Sequence, residues 1–486
     1  MKKRIGLGFA LLAMVLIASP LFATGQKEAV NDGEPVEITI YMPGSGAQAD
    51  QEMVLEEIKA YAGEKIGAYP NIEFIGWGEW DDKKNLMIAS GEDFDIAFTA
   101  SWSNFEQEVS RNAWLALNDL IDENAPSLRE NVGRFLNAPV IDGNIYAVPT
   151  VKEGAEGNAF LYNAKYVEKY NIPIKDIKTP KELEPWLALI KEKEPDVVPY
   201  LVVKDRVSDL PRTMMSNWDK LAKGFSRHDG VVMHDWQNDK KWDWSATMYD
   251  WFNAGYFQPE AVDLKDPNDT KYWNNGNWFA FSHVAHPGKA GELSNQHGYS
   301  IVAGANLHQP MVTKDIHLGS MMAISQSSKH PVEAIKVLDL MNRDKYFNNL
   351  INFGLEGVHY DFVDQEKGII ELLSDGYRPS MGWALQNQFL NYITAKEDPN
   401  KWAKYEEFNV SADVYDSVGF FPDMNPVKTE MASISNVLET YERMLDRGVI
   451  DPNSIKDEFQ EALINAGVEA VATELQNQID SYLSSK

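Results

Sequence analysis

The chain reads as an α/β protein of two lobes, and three features of its sequence predict this. Short apolar runs of two-residue period alternate with runs of helical period from Val36 to Phe98. The alternation restarts beyond a proline- and glycine-bearing stretch near residue 150. With 486 residues, of which 44% are hydrophobic, the chain exceeds what one core commonly serves.

The elements follow in order. VEITIYM (36–42) puts Val36, Ile38, Ile40 and Met42 on one face and polar or aromatic groups on the other, which is a strand. PGSG (43–46) turns the chain into a helix carrying Val54, Leu55, Ile58 and Tyr61, expected to stop at Gly63. NIEFIGW (71–77) is the next strand, and a helix over Lys83 to Ala89 leads into GEDFDIAFTASWSN (91–104). There Asp95 to Phe98 form a strand covered on both faces, followed by Trp102 among small polar groups. Strand, helix, strand, helix, strand implies a mostly parallel sheet with right-handed crossovers. In such sheets ligands sit beyond the carboxyl ends of the strands.

IYAVP (145–149) and VKEGAEG (151–157) mark a strand and then a segment able to bend. FLYN (160–163), a helix after Thr179 and VPYLVV (198–203) begin a second α/β region. IHLGSMMAIS (316–325) reads as a strand, and SSKHPVEAIKVLDLM as a helix with Pro331 in its first turn. Near the end, Ile434, Val437, Leu438, Tyr441, Met444 and Leu445 recur at helical spacing until Gly448.

The first residues set Lys2, Lys3 and Arg4 before an apolar run from Ile5 to Ile17, the layout of an export signal cleaved after Ala23 or Gly25. Residues 26–35 then form a polar tether. No cysteine is present, so a lipid-bearing cysteine and disulfides are both excluded. The expected location is the periplasm or the cell exterior. A formal net charge of −28 repels phosphate backbones and anionic lipid, which argues against nucleic-acid and membrane-surface roles.

Marks of catalysis are sparse. HExxH, GxSxG, GxxxxGK[ST] and a dinucleotide fingerprint are all missing from the sequence. The calcium-loop candidate at Asp266 fails because Thr270 and Lys271 stand where an oxygen ligand and a glycine are needed. His283, His286 and His297 lack the spacing of a zinc set, so neither metal nor cofactor is expected. Paired carboxylates across a cleft need no local motif, which keeps a secreted glycoside hydrolase as the alternative.

The runs ASGEDFDIAFTASWSNFEQEVSRNAWLALNDLIDENAP, DGNIYAVPTVKE and IHLGSMMAISQSSKHPVEAIKVLDLM, in this order, resemble the extracellular solute-binding proteins of ATP-driven sugar importers, the family of maltose-binding protein. FGLEGVHY (353–360), GWALQNQFLNYI (382–393) and residues 419–483 resemble a subgroup of lipoprotein-type oligosaccharide binders with a C-terminal extension, although the anchoring cysteine is absent. The resemblance implies a type II periplasmic-binding-protein-like fold. The implied first lobe is 36–149 plus 317–376, and the second is 150–316 plus 377–486, joined by hinge crossovers. It further implies a monomer that captures a carbohydrate between its lobes and hands it to the permease subunits of an ABC transporter. A peptide or another solute remains the other binding alternative.

A sugar site needs flat aromatic surface and planar hydrogen-bonding side chains. Trp102 and Asn104 qualify by following a strand's carboxyl end, or else Trp102 packs under the next helix. Ser45 and Gly46 follow the first strand, as binding groups or an ordinary turn. Glu153 falls where the resemblance puts a sugar-contacting acid on the first crossover; its bland reading is a solvated glutamate. Glu356 and His359, beside Gly354 and Gly357, either bind ligand or lock the hinge through hydrogen bonds. Trp383 and Asn387 share a face if their segment is helical, and Trp383 then forms the opposite wall or joins the core. At least one of Trp218, Trp236, Trp242, Trp244, Trp251, Trp273 and Trp278 is expected to face the ligand.

Overall fold

A computed structural model describes residues 35–202, 218–262 and 271–486; the expected leader, its cleavage site, almost all of the tether and part of the Asp266 loop lie outside the described residues. The first sheet has the order Ala68–Gly76, Val36–Gly44, Ile96–Thr99, Met321–Ile324, Val148–Pro149. Its first three strands are parallel, with Ile40 opposite both Ile72 and Ile96. Met321–Ile324 runs antiparallel to both neighbours. It arrives from the other lobe rather than through a strand–helix–strand crossover, so nothing forces it parallel.

Helices Gln51–Ile66, Trp80–Ser90 and Pro331–Arg343 cover this sheet. Ile38, Ile40, Met42, Ile58, Phe98, Ile335 and Leu338 are fully buried in one core with them. The first helix runs on past Gly63 to end at Gly67, whose φ of 68° suits a glycine cap. Gly63 answers a different need, since a β-carbon there would lie 2.4 Å from the Tyr69 ring. Tyr377, Met381, Ala384 and Leu385 are buried in the same core, so the chain stays with the first sheet beyond residue 376.

The second sheet has the order Ile301–Asn306, Asn158–Asn163, Trp278–Val284, Val198–Tyr200. It is mixed, because Asn158–Asn163 enters from the first crossover and pairs antiparallel on both sides, while Trp278–Val284 and Val198–Tyr200 pair parallel. Helix Pro180–Lys193 starts where expected, with a capping box between Thr179 and Glu182. Hydrophobic side chains cover both faces of this sheet.

A third core joins distant parts of the chain. The antiparallel strands Asp219–Ala222, Phe225–His228 and Val231–His234 pack with helices Lys428–Asp446, Pro452–Asn465 and Val468–Ser485. Trp236 and Trp242 meet Phe459 edge-on at 5.3 and 5.9 Å. All seven tryptophans between 218 and 278 are buried, so none supplies the open ring face expected of that group. The cores account for six of them, and Trp218 packs against His228 at 5.4 Å.

Three segments pass between the lobes side by side. Thr150 donates its N–H to Ser320 O at 2.9 Å, and Val151 exchanges backbone hydrogen bonds with Gln386 and Gln388. Glu156 and Met311 exchange two more, at 2.7 and 2.9 Å. Met311–Val312 pairs in turn with Asp413–Val414, the lead-in to the helical tail. Phe421 of that lead-in also packs against the first core.

A candidate ligand-binding cleft

Strands Val36–Gly44, Ala68–Gly76 and Ile96–Thr99 all point their carboxyl ends to one edge of the first sheet. The second and third strands lie on opposite sides of the first, and such a switch point is where open α/β sheets place a ligand crevice. Trp77 follows the second strand and Trp102 the third, with ring centroids 6.0 Å apart. Trp383 comes from the turn Gly382–Ala384 and stacks on Trp77 at 6.0 Å with 19° between planes. Phe98 lies against Trp102 at 5.6 Å and meets Trp383 edge-on at 5.7 Å.

These indoles are not enclosed, although Trp77 and Trp383 pack against the first core. Trp102 is 51% exposed, and Trp77 and Trp383 are partly exposed. The Trp102 indole N–H is nevertheless held, donating to Gly319 O of the second crossing segment at 2.8 Å. Ser101 N–H bonds Leu318 O of the same segment at 2.9 Å. The ring is therefore fixed at its polar edge while much of its surface stays open. That arrangement suits an apolar sugar face, because ordering the platform costs little at the moment of binding.

Of the residues expected at the site, Trp102 and Trp383 come together here and Ser45 and Gly46 lie at the same edge. Ser45 is exposed, and Gln48 Nε2 donates to its Oγ at 2.9 Å and to Gly46 O at 2.7 Å. Asn104 has φ 71° and starts the helix Phe105–Ser110, so its backbone shapes the turn below Trp102. Asn387 is occupied by other protein groups. Its Nδ2 donates to Asn342 O at 3.0 Å and its Oδ1 accepts from Phe389 N–H at 3.2 Å. Trp383 and Asn387 share no helix, since Gln386 at φ 63° separates two short 3-10 turns.

His359 is buried, with Nδ1 accepting from Leu355 N–H at 3.0 Å and Nε2 lying 3.4 Å from Asp50. It closes the Gly354 turn, where a β-carbon would lie 2.6 Å from its ring, so its contacts are made within the first lobe. Glu356 is exposed on the bend before strand Tyr360–Asp364, which pairs with Ile369–Leu372. Neither residue contacts the indole wall.

Glu153 is 6% exposed and lies inside the hinge. Lys152 Nζ contacts its Oε1 at 2.8 Å. Burial works to raise the Glu153 carboxyl, but Lys152 and then His286 outweigh it and hold it below the usual range. Beside it, Glu292 receives Lys401 at 3.2 Å and the Tyr405 hydroxyl at 3.1 Å, while Lys401 also meets Glu397 at 2.8 Å. Burial would raise Glu292 too, yet Lys401, His286 and Lys289 keep it well below its ordinary value. This network joins the first crossing segment to helices Lys289–His297 and Lys401–Ser411. Among the described residues no cluster of three His, Asp or Glu could hold a metal ion.

Trp77 is the residue that sequence reasoning passed over. Its signal was present in NIEFIGW, where the ring follows the last strand residue just as Trp102 follows DIAFT.

Comparison with known proteins supports this fold. Residues 44–346 match the family model of bacterial extracellular solute-binding proteins, and residues 416–484 match a domain of unknown function. A carbohydrate ABC transporter substrate-binding protein of Streptococcus pneumoniae is 26% identical, over 98% of each chain. The N-glycan transport solute binding protein of S. pneumoniae, solved with Man1GlcNAc, aligns with a TM-score of 0.80 at 23% identity over 92% of this chain and 99% of that one. Its Man5GlcNAc complex aligns with a TM-score of 0.77 at 24% identity, over 93% and 99%. The family match spans more than half of the chain and includes the strand ends that carry Trp77 and Trp102; the chain belongs to the bacterial extracellular solute-binding proteins, a family of binders and not of enzymes.

Proposed function

We propose that the protein captures an oligosaccharide between its lobes and delivers it to the permease subunits of an ABC importer outside the cytoplasmic membrane. The observation that carries this reading is the wall of three indoles at the strand ends. Its rings abut one another and stay wholly or partly open, and flat aromatic surface suits the apolar C–H face of a sugar ring. The relatives bind carbohydrate by name, which favours the same class here. Glu79, Asp81 and Asp82 are exposed just past Trp77, so the field at the rim suits a neutral glycan better than a uronate. We take the first lobe as 36–149 with 317 to about 385, following its core. The remainder, with the helical tail, forms the second.

Closure follows if both lobes touch one ligand, because only differential affinity shifts an open–closed equilibrium. The chain has no cysteine, so thiol labels can be introduced without background. Leu86 and Val231 are exposed on the first lobe and on the 219–234 sheet. A Leu86→Cys/Val231→Cys protein carrying spin labels should shorten its label distance when a bound glycan saturates it. Calorimetry with Man5GlcNAc and with malto- and fructo-oligosaccharides should find a binder, and that sugar should be recovered intact. Binding of peptides alone, shortened sugar products, or a label distance that ignores saturation would each refute the reading.

A further inference from the structure

Lys84 lies in helix Trp80–Ser90 and is 0% exposed, whereas its neighbour Lys83 is exposed. A buried ammonium demands strong partners. Its Nζ donates to Ser103 O at 2.6 Å and to Ser103 Oγ at 2.8 Å, and lies 2.6 Å from Glu108 Oε1. Ser103 Oγ donates onward to Asp81 at 2.6 Å. The other oxygen of Glu108 accepts from Thr99 Oγ1 at 2.7 Å and from Trp114 Nε1 at 3.1 Å.

The location gives these contacts meaning. Ser101–Ser103 is the single turn that carries Trp102, and helix Trp80–Ser90 begins three residues after Trp77. Leu318 and Gly319 hold one end of the turn through Ser101 N–H and the Trp102 indole N–H. Lys84 and Asp81 hold the other end, through Ser103. The ammonium thus ties the segment after Trp77 to the segment containing Trp102.

An apolar pair could have filled the same space, since replacing a buried ion pair by hydrophobic groups of similar volume is often neutral or stabilising. A charge kept here is better matched to geometry than to stability, because it fixes direction and distance in a way that methylenes do not. We propose that Lys84 is a positioning residue for the binding platform, setting the orientation of Trp102 against Trp77 without touching the ligand. This rests on the carbohydrate reading only for its second readout.

The first readout needs no ligand. In the 15N-labelled full chain, the Trp102 indole N–H resonance is identified as the one lost in Trp102→Phe. In Lys84→Met that resonance should shift or broaden, while the indole resonances of Trp273 and Trp278 in the second lobe keep their positions. The second readout is calorimetry with Man5GlcNAc, which Lys84→Met should bind about tenfold more weakly. If Man5GlcNAc fails to bind even the unmodified protein, the ligand assignment falls and the resonance alone decides the positioning role. An unmoved Trp102 resonance in a folded Lys84→Met protein overturns the proposal. If that variant does not fold, Ser103→Ala takes its place, since it removes the hydroxyl bonded to Lys84 and Asp81 and leaves the backbone. A displaced Trp102 resonance then supports the proposal and an unchanged one overturns it.

Discussion

Replacing Trp102 by alanine removes the most exposed ring of the platform, and its two costs can be computed separately. About half of the side chain is covered, by Trp77, Phe98 and the Gly319 carbonyl. Covered apolar area on the order of 100 Å² at about 25 cal/mol per Å² gives roughly 2.5 kcal/mol of lost stability. The open half meets the ligand. A pyranose face removes on the order of 40 Å² from each surface, which at the same coefficient is about 2 kcal/mol, or roughly thirtyfold in affinity. Melting temperature reports the first loss and titration calorimetry with a bound oligosaccharide the second. Trp244→Ala, in the second core, should lower melting temperature while leaving affinity within about threefold, because its ring is buried far from the strand ends. A folded Trp102→Ala protein that binds every sugar as tightly as the parent would refute the platform.

Two predictions concern the hinge and the buried histidines. Lys401→Met leaves Glu292 and Glu397 buried without their shared cation, and should destabilise the protein by about 3 kcal/mol in urea unfolding; a loss below about 1 kcal/mol would mean that Lys289 suffices for Glu292. Burial pushes His234 and His317 down from 6.5 to about 4, with Asp235 opposing at His234 and Arg134 adding to the fall at His317. The unfolded chain then takes up protons near pH 6.5 that the native state refuses until near pH 4. Stability should fall across that window as pH decreases, by about 1.4 kcal/mol per pH unit for each histidine, and His317→Asn should flatten the slope. A slope unchanged in that variant would show that His317 is protonated normally in the native state.

The sequence disclosed local features well and long-range packing poorly. Trp102 was legible because a strand and its polar turn are contiguous, and Thr179 announced its helix through a capping box that spans four residues. Glu153 was not. Beyond the adjacent Lys152, its surroundings include His286, more than a hundred positions away, so nothing nearby reveals that the carboxylate is buried rather than solvated. The segment around Trp383 and Asn387 has helical spacing but a positive φ at Gln386, a conformation imposed by tertiary contacts such as Asn342 Nδ2 to Gln386 Oε1 at 2.8 Å. The tryptophans from 218 to 278 misled for a related reason. Composition supplied rings for a cleft, while the fold spent six of the seven on three cores, one of which is completed by helices some two hundred residues further on.

The edge of Met311–Val312 that faces away from Glu156 is completed by Asp413–Val414, and this makes the tail a third leaf of the hinge rather than an appendage. Bending the spine drags those helices along, so their mass and their grip on the 219–234 sheet become part of the stiffness against which a ligand must pull. A chain cut before residue 413 would lose about fifty residues of helix and would also bare the backbone of the connection between the two lobes.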